Sequence, residues 1–145
     1  MVHHDALRMR FVLDESRWQQ FLTDDCKEVP FQVIDLLALG EEEHKAAIER
    51  EAAQLQTTLN LEEGLLLRVV LFKLGSDLPS RLLLIIHHLV VDGVSWRILL
   101  EDLATVYKQL EQGERIQLPP RTTSFKDWAI RQRDYGRSCA PKSLS

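Results

Sequence analysis

Two long apolar runs separated by one short polar turn constrain this chain more than any other feature. "LLLRVVLFKLG" begins at Leu65, "SDLPS" follows, and "RLLLIIHHLVVD" ends at Asp92. Runs so poor in charge are unsuited to facing water on either side. They predict two adjacent strands of a hairpin at the centre of a sheet. The stretch Leu82–Val91 is interrupted by His87 and His88 and is too short to span a bilayer, so no membrane association is expected. A net charge of −4 with no basic block gives no electrostatic footprint for nucleic acid. No charged-then-apolar leader opens the sequence, and Cys26 and Cys139 lie far apart in no metal-like spacing. Two reduced thiols in a cytoplasmic protein is the expectation. At 145 residues, 45% of them hydrophobic, the chain can bury one sizeable core.

The flanking segments read as strands, a helix and then further helices. "LRMRFVLD" alternates, with Leu7, Met9, Phe11 and Leu13 on one side and Arg8, Arg10 and Val12 on the other. That is the pattern of a half-buried strand. "SRWQQFL" and "PFQVIDL" are weaker strand candidates around an acidic turn at Asp24-Asp25. From Glu41 to Asn60 the period becomes helical, with Ile48, Ala52, Leu55 and Leu59 in register and three glutamates at the N-terminal end. A second helix is predicted from near Gly93 to near Gly113, burying Trp96, Leu99, Leu103, Val106, Tyr107 and Leu110. Pro119-Pro120 stops any continuation. Ser124 is placed to cap a last helix, "SFKDWAIRQRDY", with Asp127 at the reciprocal capping position and Gly136 as its end. The tail from residue 137 to 145 is polar and expected to be loose.

Chemistry concentrates in "IIHHLVVDGVSW", Ile85–Trp96. Neighbouring side chains of a strand point to opposite faces, so His87 and His88 are expected to diverge. With diverging histidines, Asp92 does not complete a two-histidine, one-carboxylate metal site, and no metal is expected. Two adjacent histidines alone read as hydrogen-bonded core residues. Three neighbours favour a functional reading. Asp92 sits where strand gives way to loop, and a carboxylate buried there needs a cationic partner, with Arg8, Arg10 and Arg97 as candidates. Gly93 removes a side chain where a ligand could approach the backbone. Ser95 and Trp96 open a helix whose first amides point back at the same place. Histidine, which ordinarily titrates near neutral pH, makes a good general base in such a setting. His3, His4 and His44 are read as surface or terminal residues.

"HHLVVDG", His87–Gly93, resembles the His-His-x-x-x-Asp-Gly motif of the condensation and epimerisation domains of nonribosomal peptide synthetases. That family is similar in fold to chloramphenicol acetyltransferase. "HHDALRMRF" resembles the family's early Arg-His-Glu-x-Leu-Arg-Thr-x-Phe motif, with His3 where arginine is usual. "LEEGLLLRVVLF" and "LPPRTTSFKDWA" resemble the strand before the histidine motif and the segment after the following helix. The fold implied is an α/β (α+β sandwich) lobe, with a mixed, mostly antiparallel sheet flanked by helices, over residues 1–136. By this resemblance His88 is the catalytic histidine and His87 its structural neighbour. Asp92 forms a salt bridge that holds the loop, and Gly93 lets a 4′-phosphopantetheine-linked substrate pass. Arg8 supports the site from an adjacent strand, and Ser95 and Trp96 contact the substrate tunnel.

The resemblance implies action on aminoacyl or peptidyl thioesters presented by a peptidyl carrier protein, with no directly bound cofactor. "HHDALR", "VVDGVSWRILLEDL" and "LPPRTTSF" look more like the epimerisation branch than the condensation branch. In epimerisation His88 takes or returns the Cα proton, helix amides stabilise the enolate, and a glutamate of the family's second lobe serves the opposite face. In condensation His88 orients or deprotonates the attacking amine. The sequence matches only the family's first lobe, without its first helix or second lobe. The lobe alone is expected to expose an apolar surface and to be weakly active or inactive. The alternative is a non-catalytic remnant that binds a carrier protein or a partner lobe.

Overall fold

The computed structural model describes residues 2–23, 29–121 and 123–138. The predicted Asp24-Asp25 turn, both cysteines and the tail beyond Ser138 lie outside the described residues. The chain divides into two compact units, residues 1–97 and 98–145.

In the first unit a short 3₁₀ turn, Asp5–Arg8, leads into β1 (Met9–Asp14). β1 pairs with antiparallel β2 (Arg17–Leu22) across a turn in which Glu15 and Ser16 take positive φ. Met9 and Phe11 are buried as the alternation predicts, but Leu13 is exposed at the hairpin's free end. β3 (Phe31–Asp35), β4 (Leu67–Lys73) and β5 (Arg81–Ile86) form a second sheet in spatial order β3-β4-β5. β3 and β4 run parallel, joined through helix α1 (Glu41–Gln56), and β4 and β5 form the predicted antiparallel hairpin. Strands and helices are thus mixed, with one parallel and two antiparallel strand pairs, as an α/β lobe with a mostly antiparallel sheet requires. The hairpin is not wholly central: among the described residues β4 lies inside the sheet and β5 is an edge.

The core lies on one sheet face. Val70, Phe72 and Ile85 point there and meet Ala47 and Leu55 of α1, with Leu36 and Leu74 closing the ends. α1 starts at Gly40, whose amide donates to the Glu43 carboxylate at 3.0 Å, and three glutamates occupy its first turn. It stops at Gln56, short of the predicted Asn60. There the Thr57 and Thr58 hydroxyls donate to the Gln54 and Leu55 carbonyls, each at 2.7 Å, and turn the chain. His44 is no surface residue. It is 5% exposed, and its Nε2 donates to the Leu36 carbonyl at 3.2 Å, tying α1 to the segment after β3.

α2 (Gly93–Glu111) starts in the first unit and continues into the second, ending before Gly113, which takes φ +69°. No residue of α2 is buried, although Trp96, Leu99 and Val106 are half-buried; Leu103, Tyr107 and Leu110 are exposed. The predicted stripe exists, but none of its residues is fully covered. α3 (Phe125–Ser138) is capped as predicted: the Ser124 hydroxyl accepts from the Asp127 amide at 3.1 Å and donates to its carboxylate at 2.8 Å. Gly136 does not end α3, because the helix runs on through Arg137 and Ser138 without a left-handed glycine.

Candidate active site

β5 ends at Ile86, so neither His87 nor His88 belongs to a strand. The His87 amide makes one last ladder-like bond, to the Leu66 carbonyl at 2.9 Å. Its own carbonyl then accepts from the Val90 amide at 3.0 Å, closing a turn over His87–Val90. The Leu89 amide donates to His87 Nδ1 at 3.2 Å. His87 is thus half-buried and spent on holding the turn. The two rings serve different ends because the chain turns between them, a correction to the strand-alternation argument.

His88 is exposed at the crest of that turn. Its Nδ1 lies 2.8 Å from the Val91 carbonyl oxygen. A carbonyl can only accept, so Nδ1 is the donor, and whenever the ring is neutral Nε2 is its unprotonated nitrogen. That is the form a general base requires. Val90 and Val91 are buried and pin the loop beneath the ring, so the accepting carbonyl is attached to an anchored residue.

Asp92 is exposed, not buried, and caps α2. Its Oδ1 accepts from both the amide and the hydroxyl of Ser95, each at 2.7 Å, and its carbonyl accepts from the Trp96 amide at 2.9 Å. The Ser95 hydroxyl, followed by the Ser95 amide, holds the carboxyl below the usual aspartate range. Among the described residues no ion pair joins Asp92 to Arg8, Arg10 or Arg97. Among the described residues the carboxylate's hydrogen-bond partners are the Ser95 amide and hydroxyl. The same capping occupies the Ser95 and Trp96 amides, so they are not free to receive a substrate oxyanion.

Gly93 is the first residue of α2, with no left-handed φ, and a Cβ there would meet no heavy atom within 4 Å. Nothing in the described fold demands a glycine at this position. Ser95 and Trp96 are half-buried in the helix's first turn. Arg8 precedes β1 rather than lying on a strand beside β5. Its guanidinium bonds to the Asp5 carboxylate and, at 2.9 Å, to the Thr23 carbonyl, bracing the open end of the β1–β2 hairpin. None of the hydrogen bonds of His87, His88 and Asp92 described above runs to it.

Sequence reasoning missed the segment that links these parts, Asn60–Leu66. Asn60 Oδ1 accepts from the Glu62 and Glu63 amides, and Gly64 takes φ +71° beneath Arg10. The Leu61 carbonyl accepts from the Phe11 amide of β1 at 3.0 Å, while Leu66, 1% exposed, holds His87. An Asn four residues before a Gly was the available signal. Among the described residues no group of three or more His, Cys, Asp or Glu could hold a metal ion, and no helix is long and apolar enough to cross a membrane.

The family profile described as Condensation domain matches residues 1–143, and the chain belongs to that family. It is 51% identical over 138 residues to a linear gramicidin synthase of Brevibacillus parabrevis, covering 95% of this chain and 3% of that protein. Among solved structures it is similar to the epimerization domain from the third module of tyrocidine synthetase B. The TM-score is 0.83 at 41% identity, over 92% of this chain and 29% of that one. It is also similar to the first condensation domain of the calcium-dependent antibiotic synthetase, with a TM-score of 0.75 at 28% identity over 95% of this chain and 32% of that one. These likenesses give the chloramphenicol acetyltransferase-like fold expected from the motif. The chain spans about a third of such a solved domain and a few per cent of the gramicidin synthase.

Proposed function

We propose that this chain is the His-bearing lobe of an epimerisation domain of a nonribosomal peptide synthetase, with His88 as acid/base at Cα of a carrier-bound aminoacyl or peptidyl thioester. The observation that carries this reading is the 2.8 Å contact of His88 Nδ1 with the Val91 carbonyl oxygen, in which the ring must donate, on a residue exposed at the crest of its turn. The higher identity and TM-score with the epimerization domain than with the condensation domain favour Cα–H chemistry over amide formation. In this reading residues 1–136 form the lobe, and the substrate arrives on the 4′-phosphopantetheine arm of a peptidyl carrier protein, in the cytoplasm. Gly93 leaves room for that arm beside the loop. His87, Asp92 and Arg8 hold the scaffold, and Trp96 with Ser95 borders the tunnel. With the Ser95 and Trp96 amides taken by Asp92, stabilisation of the enolate oxygen is assigned to a second lobe, which also supplies the second acid/base. The isolated chain is accordingly inactive or nearly so.

The test joins this chain to a complementary second lobe and supplies an aminoacyl carrier protein in D₂O. Deuterium entering at Cα, lost by about 10²–10⁴-fold in His88→Ala, supports the reading. Amide formation with a second, amine-bearing carrier and no Cα exchange assigns condensation instead, the reaction that the family profile's description names. Carrier binding that persists without any His88-dependent turnover assigns a non-catalytic remnant.

A further inference from the structure

Which nitrogen of His88 donates depends on where the Val91 carbonyl points. Val91 is followed directly by Asp92, whose side chain folds forward onto the start of α2. Two bonds fix it there: the Ser95 amide and the Ser95 hydroxyl both reach Oδ1 at 2.7 Å. The amide bond is an ordinary helix cap, available with any residue at position 95 that has a backbone N–H. The hydroxyl bond is specific to Ser95 and is the larger cause of the lowered Asp92 pKa. With Asp92 clamped at its side chain and, through its carbonyl, to the Trp96 amide, the peptide unit between Val91 and Asp92 has little freedom to rotate. That peptide unit carries the oxygen that accepts the Nδ1 proton of His88.

We infer that Ser95 is a positioning residue for His88: through Asp92 it orients the Val91 carbonyl, which keeps the imidazole proton on Nδ1 and Nε2 free. This rests on the reading of His88 as acid/base, but it is tested without turnover. The full 145-residue chain is labelled with ¹⁵N-histidine, and the ring nitrogens of His88, assigned with His88→Gln, are recorded at a pH where the ring is neutral. In the unaltered chain Nδ1 is the protonated nitrogen. In Ser95→Ala the Nε2–H fraction rises, by at most about three- to tenfold, the change expected if one ordinary hydrogen bond were fully coupled to the tautomer equilibrium. Ser95→Thr, which keeps the hydroxyl, restores the original shifts, and Asp92→Ala moves them in the same direction as Ser95→Ala. Unchanged His88 shifts in Ser95→Ala and Asp92→Ala, or failure of Ser95→Thr to restore them, overturn the inference. The two readings fail separately. If the shifts move as expected while His88→Ala leaves the reassembled domain fully active, the positioning stands and the catalytic role of His88 falls. If His88→Ala abolishes turnover but Ser95→Ala moves nothing, the reverse holds.

Discussion

Helices α1 and α2 both carry an apolar stripe of helical period, yet only one is covered. α1 is mostly polar; it buries Ala47 and Leu55 against the β3-β4-β5 sheet and His44 against the Leu36 carbonyl. α2 is the more apolar of the two, and no residue along it is buried. The sheet shows the same contrast between its own faces. Val70, Phe72 and Ile85 are covered by α1, whereas Phe31, Val33 and Leu82, aligned across the strands on the other face, are each about half exposed. An amphipathic stripe specifies that a face is to be buried, and leaves open what buries it. The uncovered faces fit a lobe that spans about a third of the solved domains it resembles.

That contrast can be broken or sharpened by substitution. The largest effect is expected at Phe72, 0% exposed: Phe72→Ala costs about 3–5 kcal/mol in urea unfolding, from lost burial and the cavity left behind. A cost near zero would show that the α1-covered face is not the core. Gly64→Ala comes next. A Cβ there lies 2.7 Å from Arg10 Cγ with φ at +71°, and the strain is about 1–3 kcal/mol by the same measurement. An unchanged midpoint would mean that the Asn60–Leu66 segment is not held against β1.

Asp92→Ala removes the α2 cap and lowers the urea midpoint by less than Gly64→Ala does, and Asp92→Asn recovers most of the loss. The cap is also pH-dependent. A carboxyl whose pKa is lowered by folding contributes its stability above the ordinary aspartate range and loses it as pH falls through the lowered folded value. A carboxyl ¹³C titration should place Asp92 below a reference aspartate, and Ser95→Ala should move it upward; no movement would remove the Ser95 hydroxyl as the main cause. The smallest effects belong to the uncovered side. Leu103→Ala on α2 and Gly93→Ala each change the stability of this chain by at most about 0.5–1 kcal/mol. In a domain reassembled with a second lobe, Leu103→Ala should weaken assembly and Gly93→Ala should slow turnover. A Leu103→Ala cost in the isolated chain as large as that of Phe72→Ala would erase the distinction between covered and uncovered faces.

Much of this molecule is written in short-range terms. The alternation of "LRMRFVLD", the apolar pair around "SDLPS", the glutamates at the start of α1, Gly113 at the end of α2 and the Ser124–Asp127 cap all act over a few residues. Their positions could therefore be read from the sequence. The histidine motif was legible too, as spacing. Its geometry was not. Whether His88 sits in a strand or on a turn depends on where the Leu66 carbonyl ends the ladder, twenty-one residues upstream of His87.

What the sequence by itself determined is the set of elements, their caps, and the residue types gathered at His87–Trp96. What only the tertiary structure decided is which faces are covered, that His44 is a core tie and Asp92 a helix cap, and which nitrogen of His88 is free. The physical reason is the range of the interactions. Periodicity and capping are settled within one or two turns of chain, whereas burial and the direction of a carbonyl are settled by groups that meet only after the chain has folded.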